Sequence, residues 1–203
     1  MPDFYDLCLE ETSEEIGDKA RDIGWKATNR DFDTVFLEAD DWGELKRKIK
    51  SERKNADVLV FRGGDEELNR KAASDSRIDI ILRPEKGRKD SGINHVIAEI
   101  AAENRVAIGF DLKQLFSPDK HQSHILKHWM RNIELCEKYD TPYIITSGAE
   151  KVYDLRAPRD LASLIESLGG EGMKAVSDYP EQVLERAERV SSEGFVRPGE
   201  VEE

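Results

Sequence analysis

With 203 residues, 38% of them apolar and 36% charged, the chain can bury one sizeable core beneath a densely ionised surface. Forty-three Asp and Glu against 31 Lys and Arg leave a net charge of −12, which by itself argues against nucleic acid, because phosphate binding needs cations that displace counterions. An acidic skin is also a route to solubility in a very salty cytoplasm, so the charge alone does not exclude an RNA partner.

The opening Met-Pro-Asp-Phe-Tyr-Asp has neither the basic nor the apolar region of a signal peptide, and no apolar run approaches a membrane span, so a soluble cytoplasmic protein is expected. The first strand-like run is Phe4–Cys8. Thr34–Leu37 follows, and then Asp41 with Glu44 reads as a capping box opening a helix over 42–52. Val58–Phe61 precedes Asp65-Glu66-Glu67, acids that suit the positive end of the next helix. After Asp79–Leu82, the positions Ile93, Val96, Ile97, Ile100 and Ala101 make one helical stripe. Val106–Phe110 leads to a helix expected from near Asp119, with His121, His124 and His128 beside the stripe Ile125, Trp129, Ile133 and Cys136. The histidines read as a hydrated, helix-flanking cluster. Tyr143–Thr146 enters the small-residue turn Ser147-Gly148-Ala149, and Pro158, Asp160 and Gly169 mark the start and stop of another helix. A weak seventh strand is expected near Met173–Val176, a last helix around 180–192, and a flexible acidic tail over 191–203. Cys8 and Cys136 lie far apart, with no C-x-x-C spacing, and read as reduced thiols.

Alternating strand and helix signals imply an α/β fold on a parallel sheet. About seven βα units favour barrel-like closure, possibly distorted, in a single domain over residues 1–190. In such a barrel the loops at the C-terminal ends of strands carry function. Three stand out: Arg62-Gly63-Gly64-Asp65, the basic stretch Arg83 to Lys89, and the segment from Thr146 to Leu161. Arg62, Arg83, Lys86, Arg88, Lys89, Arg156 and Arg159 would share one rim as a basic patch on an acidic body, with His95 near a helix start as a further donor to phosphate. Each also has a plainer reading as a solvated side chain or structural hydrogen bond, and Gly63-Gly64 lacks the spacing of a nucleotide-binding motif. For catalysis the chain offers little. No His-x-His follows the first strand, and no Gly-x-Ser-x-Gly elbow occurs. Asp6, Glu38 and Asp111, at strand or strand-end positions, are the candidates for a metal.

Several stretches, in order over roughly residues 4–170, resemble the archaeal ribonuclease P protein component 3 family, related to the eukaryotic 30-kDa protein subunit. They are Tyr5-Asp6-Leu7-Cys8, Asp57 through Asp65, Gly92-Ile93-Asn94-His95-Val96 on to Asn104, Trp129 with Asn132 through Cys136, Thr146 through Ala149, and Leu155 through Leu161. The resemblance implies a TIM-like barrel akin to polymerase-and-histidinol-phosphatase domains, acting as a non-catalytic subunit of the ribonucleoprotein that removes the 5′ leader from precursor tRNA. It implies that the RNA subunit carries Mg²⁺ and the chemistry while the chain binds no cofactor. It also implies a direct pairing with protein component 2, in a particle that holds components 1 and 4. The expected RNA contacts are Arg62, Arg83, Lys86, Arg88, His95, Arg156 and Arg159. The rival from another class is a stand-alone metal-dependent barrel phosphoesterase using the same rim.

Overall fold

The computed structural model, which describes residues 2–116, 122–191, 195–197 and 200–201, alternates strand and helix along most of the chain. Five strands, β3 (Thr34–Leu37), β4 (Val58–Arg62), β5 (Ile80–Leu82), β6 (Ala107–Asp111) and β7 (Tyr143–Thr146), pair in sequence order as one parallel sheet. A second parallel pair joins β1 (Tyr5–Asp6) to β2 (Ala27–Thr28). The two ladders meet beside β7. There the N–H and hydroxyl of Ser147 donate to Asp6 at 3.0 and 2.9 Å, and the N–H groups of Glu10 and Glu11 donate to the carbonyl of Ala149. Seven parallel strands thus give the barrel-like, distorted closure that the periodicity predicts. The seventh strand is not the expected one. Gly172–Val176 is a short helix, and the missing strand is Ala27–Thr28, whose two residues are too few to show a period of two.

Eight helices cover the described residues: α1 (Glu14–Asp22), α2 (Trp42–Glu52), α3 (Glu66–Ala73), α4 (His95–Asn104), α5 (Gln122–Tyr139), α6 (Pro158–Ser167), α7 (Gly172–Val176) and α8 (Asp178–Ser191). Their starts follow from local chemistry. The Asp41 carboxylate accepts from the Glu44 N–H at 2.9 Å, while the Glu44 side chain reaches back to Asp40 rather than to Asp41. Asp65 and Asn94 cap α3 and α4 in the same way, each accepting an orphan N–H at 2.9 and 3.0 Å. Pro158 opens α6 and Gly169, at φ +93°, follows its end. Val96 is exposed, so the buried face of α4 is Ile97, Ala98 and Ala101. Phe195–Arg197 and Glu200–Val201 pair as an antiparallel ladder (β8, β9) where a flexible tail is expected. The remainder of that tail (192–194, 198–199 and 202–203), with His121 and the expected helix start near Asp119, lies outside the described residues.

The pleat divides the core. Val58, Val60, Ile80, Leu82, Ala107 and Ile144 join Tyr5, Leu7 and Cys8 in one cluster inside the barrel. Their strand neighbours Leu59, Phe61, Ile81, Ile108, Phe110, Tyr143 and Ile145 face the helices in the larger cluster. Each such side chain stabilises the fold by roughly 1.5–3 kcal/mol when fully buried. Val183 of α8 enters the inner cluster. Arg186, one turn on, donates to Asp79 at 2.5 Å and to the carbonyls of Ser76 and Asn104. Arg53 meets the other oxygen of Asp79, also at 2.5 Å. Asp79 precedes β5, so this buried clamp pins α8 across the N-terminal end of the barrel and leaves the C-terminal end for other contacts. A clamp of this kind costs about 3–5 kcal/mol to break, because the partners remain buried and charged.

Candidate functional site

At the C-terminal mouth, β4 and β6 end on Arg62 and Asp111, and Arg83 directly follows β5. Alternation along β4 turns Arg62 inward after the outward Phe61, and Arg83 follows Leu82 with a left-handed φ of 56°. Both guanidiniums meet acids. Arg62 contacts Glu10 at 2.5 Å and Glu38 at 3.8 Å, and lies 4.7 Å from the ring centroid of Phe36. Arg83 contacts Glu10 at 3.4 Å and Asp111 at 3.3 Å. Asp111 also accepts the Lys113 N–H at 2.9 Å. Burial raises its carboxyl to about 6, against the opposing pull of Arg83. Asp6, beneath the same mouth, is likewise raised by burial while Ser147 and Thr146 oppose the shift.

The loop from Arg83 to Gly92 is held by side chains the basic pattern does not reveal. Its one acid before Asp90, Glu85, is turned inward, where Oε1 accepts from Trp129 Nε1 and Gln114 Nε2, both at 2.9 Å. Asn69, fully buried on α3, donates to the carbonyls of Pro84 and Gly92 at 3.0 and 2.8 Å, and its oxygen accepts from the Gly64 N–H at 3.3 Å. One amide therefore ties the β4 loop to both ends of the β5 loop. Gly63 permits this approach, since a Cβ there would lie 2.6 Å from Asn69 and 2.8 Å from Pro84. Arg88 grips Asp90 through two hydrogen bonds of 2.7 and 2.8 Å and lies 3.3 Å from Glu66. That pairing lowers the Asp90 carboxyl to about 2.

Lys86 and His95 are different: both are exposed, and neither has an acid within ion-pair distance among the described residues. Arg156 and Arg159 form a second group. The Arg156 carbonyl accepts from buried Trp25 Nε1 at 2.9 Å, which fixes the backbone. Its guanidinium donates to the carbonyls of Tyr153 and Leu155 at 2.9 and 2.8 Å and sits 5.6 Å from the ring of Phe116. Arg159 lies 5.8 Å from the ring of Phe4. Neither has a carboxylate partner among the described residues. Among the described residues, then, the expected rim divides by pairing: Arg62, Arg83 and Arg88 meet acids, and Arg156 and Arg159 do not.

Asp6, Glu38 and Asp111 do not assemble as a metal site. Ser147 holds the first, Arg62 faces the largely exposed second, and Arg83 with the Lys113 N–H holds the third. No group of three or more His, Cys, Asp or Glu side chains suited to a metal occurs among the described residues. Where a barrel enzyme would hold cations against its acids, this chain uses its own guanidiniums. Reading the sequence alone misses Glu10 as their shared counterion, Asn69 as the tie, and the aromatic company of Arg156. The one signal for the last is Tyr153 set between Lys151 and Arg156.

Comparison with known proteins adds a lineage to this geometry. The family model described as RNase P subunit p30 matches residues 25–192. A protein named Ribonuclease P protein component 3 from Methanococcus maripaludis (strain C7) is 36% identical over 159 residues, which is 78% of this chain and 68% of that protein. One of the same name from Methanosarcina barkeri is 31% identical over 229 residues, 98% of this chain and 95% of its own length. Among solved structures, a chain in the cryo-EM structure of archaeal ribonuclease P with mature tRNA superposes with a TM-score of 0.73 at 28% identity, over 96% of this chain and 84% of that one.

Proposed function

The chain belongs to the RNase P subunit p30 family, and we propose that its unpaired cations, rather than its barrel mouth, are what meets RNA. It is a subunit of ribonuclease P, the tRNA-processing ribonucleoprotein, and not the catalyst. One observation carries the proposed division of labour. On a chain of net charge −12, Arg62, Arg83 and Arg88 are neutralised by acids of the chain itself, while Lys86, His95, Arg156 and Arg159 have no acid partner among the described residues. A phosphate approaching Arg83 would have to displace two carboxylates, whereas one approaching Arg156 or Arg159 displaces only water and counterions. We therefore rank Arg156, Arg159, Lys86 and His95 as phosphate contacts. Arg62, Arg83 and Arg88 shape the loops that present them, and so support RNA binding from within. Such backbone contacts position an RNA without reading its sequence.

The rest of the reading is of a piece with this. RNase P RNA is the direct partner and precursor tRNA the substrate of the particle. Protein component 2 pairs with the chain, and components 1 and 4 belong to the same assembly. Mg²⁺ is held by the RNA subunit. Residues 1–190 act as one barrel domain, with 191–203 as an acidic extension. The working environment is a salt-rich cytoplasm. At molar salt, screening confines electrostatic attraction to about 3 Å. Acids elsewhere on the surface then repel RNA little, and short contacts by a few cations suffice.

Replacing Arg156 and Arg159 together by Glu should depress precursor-tRNA cleavage by the reconstituted particle on the order of tenfold or more at limiting protein. The circular dichroism of the isolated chain should not change. Unchanged cleavage across a salt and Mg²⁺ titration would overturn the assignment.

A further inference from the structure

Among the described residues four large hydrophobic side chains are exposed, two of them aromatic: the Phe116 ring, 62% exposed, lies 5.6 Å from the Arg156 guanidinium, and Tyr153, 90% exposed, accepts from Arg156 through its backbone carbonyl. We propose that the exposed rings of Tyr153 and Phe116, on the two turns that Arg156 joins, offer a stacking surface for an unpaired base of the RNA. This inference rests on the reading of the Arg156–Arg159 face as an RNA surface and adds to it the class of nucleotide bound.

The arrangement is built before any ligand arrives. Phe116 ends the 3₁₀ turn Leu112–Phe116 that follows β6, and Tyr153 is the middle residue of the 3₁₀ turn Val152–Asp154 beyond β7. The second turn is pinned from within: the Asp154 carboxylate accepts the N–H groups of Glu150 and Lys151 at 3.3 and 3.1 Å. Arg156 is anchored through its carbonyl on Trp25, and its guanidinium is fixed by two carbonyls and the Phe116 ring. The Arg156 guanidinium therefore has little side-chain freedom left to lose on binding, which favours affinity.

The chemistry selects the ligand. A flat, exposed ring beside a cation with no acidic partner offers a π-face to a base and a charge to its phosphate. That pairing recurs where proteins bind single-stranded nucleic acid. A base locked in a duplex has no free face to offer, so the nucleotide is one in a loop, bulge or junction. Arg159, also without an acid, extends the positive charge along the same helix start. A protein hot spot also favours Tyr and Arg. The chain's own acids, however, leave these two arginines alone, and the relatives' particle supplies a polyanion.

The test uses the reconstituted particle with its RNA subunit and partner proteins, and a photo-crosslinking phenylalanine analogue placed at position 153. Tyr153 packs against nothing, so its variants should fold as the parent does, which thermal melting checks. Tyr153→Phe should bind RNA as the parent does, while Tyr153→Leu and Tyr153→Ala should each weaken binding roughly tenfold. The crosslink should fall on a nucleotide that chemical probing finds unpaired. If Leu serves as well as Phe, bulk and not stacking matters, and the proposal is overturned. A crosslink to a protein subunit overturns it as well, and marks the patch as a protein interface. If every Tyr153 variant binds normally while the Arg156→Glu, Arg159→Glu double variant does not, the stacking site is wrong and the RNA surface stands. If that double variant also binds normally, the underlying reading fails with it.

Discussion

Asp111 lies under Arg83 at the barrel mouth, and its buried carboxyl titrates near 6 where an unfolded chain titrates near 3.8. Between those values the folded state holds a proton that the unfolded state has released. Raising the pH through that window therefore removes stability, in the opposite sense to a carboxylate whose pKa is depressed by a salt bridge. The loss is roughly 3 kcal/mol at most, from 1.36 kcal/mol for each unit. Urea unfolding of the parent and of Asp111→Asn at pH 4, 5, 6 and 7 should show the parent falling relative to the variant as the pH rises. A constant difference across the series would mean that the carboxyl is not perturbed. Arg156 and Arg159 were legible as candidates from their place at a helix start. The neutralisation of Arg62 was not, because its counterion Glu10 lies 52 residues earlier and a pairing that distant leaves no local pattern.

At the scale of elements, the loop between β5 and α4 shows how close packing fixes a basic segment. Gly92 has φ +75°, and a Cβ there would stand 1.9 Å from the Pro84 carbonyl oxygen; Gly87, at φ +74°, has nothing within 4 Å. Gly87→Ala should therefore cost only the left-handed backbone, about 1 kcal/mol. Gly92→Ala should cost on the order of 3 kcal/mol or more, since the strain adds a clash with backbone. Denaturant midpoints of the two variants compare them directly, and equal losses would contradict the packing described. Elements with caps and a full period were readable: Asp41, Asp65 and Pro158 each mark a helix start through chemistry within four residues. Gly172–Val176 was misread because a run of Met, Ala and Val fits a buried strand as well as a short helix, and only its packing on α6 and β7 decides. Asp79 looked like a strand residue, and nothing local announces that Arg53 and Arg186 converge on it.

The whole molecule is an acidic barrel with α8 across one end and an ion-pair network at the other, and Lys86, Arg156 and Arg159 are among its described cations that have no acid partner. Its composition pointed away from nucleic acid, yet composition averages over a surface whose charges are not evenly matched. We propose that RNA contact falls to cations without acid partners, and which cations those are is a property of the fold. The most direct test is crosslinking between RNA and protein in the assembled particle, mapped to peptides by mass spectrometry. Crosslinks should fall on the peptide that carries Tyr153, Arg156 and Arg159, and none on the mouth residues Arg62 and Arg83. Crosslinks at the mouth with none over residues 153–159 would contradict that assignment.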